Sequence, residues 1–383
     1  MRYRYSAGEN GELVRKAVIY TRDEHGINFA DVDGEAVSII RKLKSAGFEA
    51  YIVGGAVRDL ILGKKPKDFD IVSSASPSKI KKIFYNSRII GRRFRLVHVF
   101  FGQRVFEVST FRSLKDGHTS NTFGTMDEDV FRRDFTINAL FYDPEQQIVV
   151  DYVGGMKDIK KKLVKPVISL SEIFTDDPVR MIRAVKYAAL SGFSLPLNLR
   201  LKIIRQSALL TSISPSRLTE EMFKIIHSDC AATIVDKLDK TGLYIYLQPQ
   251  TAKLMRKDSS FRQRYMKTMS SLSGEEKYRG QALGALFFDY LDTIPDWKSG
   301  ALENFREIYK AAHSFVLPMN PPRIDIECAL RKFLSSRGIT IKRPHIPDRP
   351  KLTVAGGETM PSSANRRKRR RRKQKPAGQQ TPT

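Results

Sequence analysis

Cysteine is almost missing from the 383 residues: only Cys230 and Cys328 occur, far apart and with no partner at metal-ligand spacing. A disulfide framework and a cysteine-based zinc site are excluded, a reducing compartment fits, and both thiols are expected as ordinary buried side chains. Long apolar runs are also missing. Met1-Arg2-Tyr3-Arg4-Tyr5 gives way to polar residues, and no segment reaches signal-peptide or membrane-spanning length. The expectation is a cytoplasmic protein with no membrane partner. Acidic residues are in short supply: 41 Asp or Glu face 67 Lys or Arg, for a formal net charge of +26. Residues 341–383 hold 13 of those bases against Asp348 and Glu358, so the rest of the chain is strongly basic too. A basic body with a basic tail points to a polyanion, nucleic acid before membrane.

The hydrophobic fraction of 41% can supply cores for two or three domains. Residues 1–30 are basic and without clear period, and read as an extension. Ala36, Val37, Ile39, Ile40, Leu43 and Ala46 then recur at helical spacing, ended by Gly47. Strand-like runs follow at Ala50–Val53, Asp68–Val72, Leu96–Phe101 and Val105–Thr110, with helical stretches at Ala56–Leu62 and Ser78–Tyr85 between them. Ser113–Thr125 reads as a mobile loop, Phe131–Phe141 as a helix, and Ile148–Tyr152 as a closing strand. From Glu172 to about Arg337 the pattern is helical. The last forty or so residues lose apolar periodicity and should be disordered when free. They carry Arg366, Arg367, Lys368, Arg369, Arg370, Arg371, Arg372, Lys373 and Lys375. This run suits a nucleic-acid backbone, and a nuclear-targeting signal looks much the same.

Asp68 and Asp70 alternate in Lys-Asp-Phe-Asp-Ile-Val. On a strand both carboxylates would share a face, about 6 to 7 Å apart, and a divalent cation would relieve their repulsion. Oxygen-only ligands favour Mg²⁺, which commonly brings phosphates. The same spacing also describes a half-exposed strand with solvated aspartates. Gly54-Gly55 after a strand lets backbone amides approach phosphates without a Cβ in the way, and Arg58 offers a fixed positive fork; the pair is equally a tight turn. Asp134 and Asn138 lie four apart on one helical face, as on any amphipathic helix. Asp177 before Pro178 is an N-cap arrangement that leaves Asp177 and Arg180 on a first turn.

As an ordered set these segments say more. Gly54-Gly55-x-x-Arg58-Asp59, Asp68-x-Asp70, Glu107 in Phe-Glu-Val-Ser-Thr, Arg132-Arg133-Asp134-Phe135-Thr136-Ile137-Asn138-Ala139 and Asp176-Asp177-Pro178-Val179-Arg180 follow one another. Together they resemble the class II nucleotidyltransferases, the tRNA CCA-adding enzymes and bacterial poly(A) polymerases, over about residues 35–245. The resemblance implies an α/β head of the polymerase β-like nucleotidyltransferase type, with a mixed sheet and helices, followed by an all-α neck and body. It implies boundaries of 1–30 for the extension, 31–150 for the head, 151–245 for a neck carrying the nucleotide selector, 246–340 for an RNA-binding body and 341–383 for the tail.

Asp68, Asp70 and Glu107 become the catalytic carboxylates, with two Mg²⁺ ions on Asp68 and Asp70 and ATP as substrate. Gly54, Gly55, Arg58, Arg132, Arg133, Asp134 and Asn138 become nucleotide-binding residues, and Asp177 with Arg180 the base selector. The family usually has Glu where Asp176 stands here. Asp151-Tyr152-Val153-Gly154-Gly155 resembles the flexible head-to-neck hinge, and Arg217 with Glu220 and Glu221 the helix that buttresses the selector. Ile89-Ile90-Gly91-Arg92-Arg93-Phe94-Arg95-Leu96-Val97-His98-Val99 resembles the bacterial poly(A) polymerase signature, although His98 also reads as a satisfied strand histidine. No neighbouring His-Asp pair occurs, so the phosphohydrolase domain of some CCA-adding enzymes is absent. The expected partners are single-stranded RNA 3′ ends of broad sequence and ATP, with tRNA addition as the alternative, and a monomer is expected.

Overall fold

A computed structural model describes residues 2–7, 12–91, 96–113, 122–272, 279–294 and 301–339. The nine-base run and the tail boundary at 341, Arg92–Arg95 of the signature and most of the expected mobile loop lie outside the described residues.

Nine strands form one mixed sheet in the order β1-β2-β9-β8-β3-β4-β7-β6-β5. They are β1 (Arg2–Ala7), β2 (Leu13–Tyr20), β3 (Ala50–Val53), β4 (Asp70–Ser73), β5 (Ser87–Ile90), β6 (Leu96–Phe101), β7 (Arg104–Thr110), β8 (Leu140–Asp143) and β9 (Ile148–Asp151). Among the described strands β4 and β7 alone pair in parallel, in the register Ile71 with Val108. Because side chains alternate, this register sets Asp70 on the same face as Glu107 and Ser109. β3 lies between β4 and β8. Its four buried residues end at Val53, and the chain turns there into the helix Gly55–Ile61.

The helix Gly34–Ser45 shows how local chemistry sets an element. Asp33 caps it by accepting from Glu35 N at 2.9 Å and Ala36 N at 3.3 Å. Ala36, Val37, Ile39, Ile40 and Leu43 bury one stripe, Lys42 and Lys44 complement the C-terminal dipole, and Gly47 leaves the helix at φ 84°. A continuous hydrophobic core runs from the sheet side, through Ile52 and Ile71, into the helices, through Met181, Ile182, Leu218 and Met222.

Four expectations change. Residues 1–30, read as an extension, supply β1 and β2, and β2 joins the sheet through Val18, Ile19 and Tyr20 against β9. Phe131–Phe141 is not one helix: a single 3₁₀ turn, Thr136–Asn138, leads straight into β8. Asp68 lies in the irregular lead-in to β4, which begins at Asp70. The Gly154-Gly155 segment is a pinned turn and not a loose hinge. Asp151, 2% exposed, accepts from Val153 N, Gly154 N and Gly155 N through Oδ1 and from Met156 N through Oδ2, at 2.7 to 3.1 Å. A Cβ on Gly155 would lie 2.3 Å from the Thr136 carbonyl oxygen, so the turn is also packed flush against the 3₁₀ segment.

Candidate active site

A cleft of about 1220 Å³ runs from the Gly54-Gly55 turn to the helices Val179–Ser191 and Pro215–Ile226. Twelve Lys or Arg and eight Asp line it, so its wall carries excess positive charge around an acidic centre. Gly54, Gly55, Arg58, Asp68, Asp70, Arg132, Arg133, Asp134, Asn138, Asp177 and Arg180 all contribute to this lining. Residues expected from four separate segments therefore meet on one surface, while Glu107, the fifth, is not part of this lining.

Gly54 has φ 74° and ψ −137°, a conformation open mainly to glycine. An atom at its Cβ position would lie 3.7 Å from Asp70 Oδ2 and 3.9 Å from Arg133 Nη1, so three expected site residues converge at this turn. Asp70 faces the cleft, and its carboxyl is pushed up to about 6, first by desolvation and then by the neighbouring Asp68 and Glu107 carboxylates. Exposure to the cleft and loss of bulk water coexist here, since the surrounding walls displace solvent. Glu107 is half exposed and also pairs with His98, whose Nε2 lies 3.3 Å from Glu107 Oε1. His98 is thus the satisfied strand histidine of the simpler reading. Among the described residues no three carboxylate, imidazole or thiol groups are drawn close enough to form a ready metal cage. The donor set instead fits Mg²⁺, which keeps several waters and is commonly bound through one or two carboxylates plus substrate phosphates. Asp68 and Asp70 would hold it.

The arginines divide into braces and cleft walls. Arg58, 5% exposed, donates Nη1 to Asn138 Oδ1 at 2.7 Å and Nε to Asp59 Oδ1 at 2.9 Å. It ties the glycine turn to the 3₁₀ segment and is less the open phosphate fork that its sequence position suggested. Asn138 Nδ2 reaches Asp134 Oδ1 at 3.3 Å, so the pairing expected from helical spacing survives in a tighter turn. Arg133 donates Nη2 to Asp129 Oδ2 at 2.8 Å and stacks over Phe141. Arg132 has its pKa lowered by burial and then by nearby Arg112, a crowding of cations that suits an anionic ligand.

In the selector segment, Asp177 Oδ1 accepts from Val179 N at 3.2 Å at the start of the helix, while Arg217 Nη2 donates to Asp177 Oδ2 at 2.8 Å. Arg180, 4% exposed, pairs with Asp176 at 2.7 Å and donates to the Arg132 carbonyl at 3.2 Å. The shorter acid at 176 therefore holds Arg180, the arginine expected in the selector. Glu220 goes to Arg279, at 2.7 Å, while Glu221 is buried and accepts from Arg183 and Lys186, at 3.0 and 2.7 Å. Sequence reasoning did not single out Arg183, Lys186 or Lys224. The helical repeat of Arg183, Lys186 and Tyr187 was their only local signal. Cys230 is half buried on the cleft wall, and Cys328 is half buried too, neither being the fully buried thiol expected.

Comparison with known proteins agrees with this geometry. Residues 50–165 match the family model described as "Poly A polymerase head domain", and residues 192–255 match "Probable RNA and SrmB- binding site of polymerase A". Poly(A) polymerase I of Escherichia coli is 42% identical over 239 residues, covering 58% of this chain and 51% of that protein. The CCA-adding enzyme of Geobacillus kaustophilus is 37% identical over 236 residues, covering 60% and 58%. The chain spans about half the length of the curated relatives it matches. The crystal structure of the Bacillus stearothermophilus CCA-adding enzyme in complex with CTP superposes with a TM-score of 0.55 at 27% identity, covering 80% of this chain and 82% of that one. A mixed sheet with helices, followed by a mostly helical remainder, is the fold of this chain, as in that CCA-adding enzyme. Among the described residues no helix is long and apolar enough to cross a membrane.

Proposed function

We propose that this relative of the class II nucleotidyltransferases extends RNA 3′ ends with AMP from ATP, without a nucleic-acid template. The observation that carries the reading is the convergence of Gly54, Asp70 and Arg133 on a cleft whose acidic centre is ringed by cations. Bound Mg²⁺ would supply charge neutralisation at the triphosphate and a lowered pKa at the attacking hydroxyl. Asp68 and Asp70 would hold the ions, and Glu107 lies on the same sheet face as Asp70, a third carboxylate. The 3′-oxygen attacks the α-phosphorus, the bond to the β-bridging oxygen breaks, and pyrophosphate leaves. Arg132 and Arg133 stabilise phosphate charge, Asp134 and Asn138 read the ribose, and Asp177 with Arg180 present an acceptor and a donor fork to the base edge. Cytoplasmic location and an RNA-gripping role for the run Arg366–Lys375 belong to the same proposal. So does the division into a head ending at 150 that takes in β1 and β2, a neck at 151–245 and a body at 246–340.

Adenylation is favoured by the basic tail, while identity to poly(A) polymerases (36 to 42%) overlaps that to CCA-adding enzymes (37 to 40%). A second reading, CCA addition to tRNA, draws support from the superposition on a CCA-adding enzyme along four-fifths of both chains. Product length separates them. Purified protein is offered ATP or CTP, with generic RNA or with tRNA lacking its terminus, and products are sized on a gel. Long A-tracts on either RNA support adenylation. Products that stop after C, C and A on tRNA alone support the second reading.

A further inference from the structure

Three cations share one buried carboxylate in the cleft wall. Glu221, 3% exposed, accepts from Arg183 Nε at 3.0 Å and Lys186 Nζ at 2.7 Å, and Lys224 Nζ lies 3.5 Å from its Oε1. The first two contacts occupy both carboxylate oxygens. Asp134 approaches Arg183 at 4.0 Å and offsets a second positive charge. One charge is left over, and Lys224 is the most exposed member of the group, at 57% of its side chain against 29% for Arg183 and 6% for Lys186, and it lines the cleft. Lys224 and Asp70 line the same cleft.

We propose that Lys224 is a phosphate-holding residue, presenting its ammonium from the helix Pro215–Ile226 toward the Asp68 and Asp70 side of the cleft. The inference rests on the nucleotidyl-transfer reading and adds to it a residue from a different segment. An ammonium has three donors and acts as a compact point charge. Lys224 spends little of this on Glu221, whose oxygens are already engaged at shorter range. A phosphate oxygen in the cleft is the ligand that matches: negatively charged, strongly accepting, and brought there by substrate. It comes from the triphosphate tail or from the last phosphodiester of the RNA. The alternative is a solvated i,i+3 ion pair of negligible consequence.

Lys224→Met and Lys224→Arg full-length proteins decide the matter through binding readouts that need no turnover. ATP and inorganic pyrophosphate are titrated by calorimetry with Ca²⁺ in place of Mg²⁺, and a labelled RNA by fluorescence anisotropy. The proposal expects Lys224→Met to weaken one arm by about tenfold, the scale of a lost charge-assisted hydrogen bond, and Lys224→Arg to restore most of it. The melting temperature should stay within about 2 °C, because the side chain is exposed. A loss in the ATP and pyrophosphate arm assigns the triphosphate tail, and a loss confined to the RNA arm assigns the strand. Unchanged affinity in both arms overturns the proposal, as does a loss that arginine does not rescue or that tracks a fall in melting temperature. An Asp70→Ala protein that still extends RNA would defeat the functional reading separately, leaving the Lys224 binding result to be read alone.

Discussion

Arg217 donates Nη2 to Asp177 Oδ2 at 2.8 Å, joining residues forty positions apart so that one oxygen of Asp177, the proposed selector acid, is fixed by a guanidinium and the other by the Val179 amide. An acceptor held at both oxygens keeps its aim at a base edge. Arg217→Ala should therefore relax nucleotide choice more than it slows AMP transfer, with the ATP-to-CTP ratio of kcat/KM falling by about tenfold. Arg217 is half exposed, so the melting temperature should barely move. Steady-state kinetics with each nucleotide check both statements.

Glu221 gives a pH signature. Burial alone would raise its pKa, but Lys186, Arg183 and Lys224 together hold it at about 2. The unfolded chain, with an ordinary glutamate pKa, then binds more protons than the folded one between about pH 4.5 and 2. Its contribution is present above that window and is lost as pH falls through it, up to about 3 kcal/mol. Lys186 moves against the pair: burial outweighs Glu221 and lowers its pKa, so the lysine costs stability at neutral pH and the net worth of the pair is smaller than the Glu221 shift suggests. Glu221→Gln leaves the buried Lys186 without a counter-charge and Arg183 with Asp134 alone, and should destabilise by about 3 to 5 kcal/mol in urea unfolding at pH 7.

At Asp70 the sign reverses. Its pKa is raised to about 6, so the folded state holds its proton more tightly and stability declines as pH rises from about 4 to 6. The ligand-free protein with Asp70→Asn should be more stable than wild type at pH 7, by about 1 kcal/mol after allowing for solvent in the cleft, while losing transfer activity. Thermal unfolding of the two proteins measures this, and a destabilised Asp70→Asn protein would count against charge strain at the site.

The Asp151 turn predicts a sharp contrast between adjacent glycines. Gly155→Ala would force a Cβ to 2.3 Å from the Thr136 carbonyl and should cost about 2 to 3 kcal/mol. Gly154→Ala has open space around it and meets only the penalty of φ 84°, about 1 to 2 kcal/mol. Urea midpoints for the two variants should differ in that order.

Local patterns carried much of the fold. Ala50–Val53 and Leu96–Phe101 are short apolar runs between turn residues, and they form β3 and β6 with those bounds. β1 and β2 were hidden because Arg2 and Arg4 alternate with Tyr3 and Tyr5 in one and the adjacent Arg15-Lys16 interrupt the apolar run of the other, in a stretch whose basic composition masks both. β8 was hidden by Ile137 and Leu140, whose helical spacing belongs to a 3₁₀ turn followed by a strand. The site was legible wherever several residues of one segment act together. Roles set by tertiary contact were not: Arg58 looks like a phosphate fork until Asn138, eighty residues on, is seen to take its Nη1, and nothing in the spacing of Arg183, Lys186 and Lys224 tells that they share one buried glutamate.

Calorimetric titration of ATP into the protein, with and without Mg²⁺, bears most directly on the acidic pair beside the glycine turn. Tight uptake should require Mg²⁺, and Asp68→Ala or Asp70→Ala should weaken it by at least about tenfold while abolishing RNA extension. Equal ATP affinity with and without the metal, or an Asp70→Ala protein that still lengthens RNA, would contradict a metal-held triphosphate in this cleft.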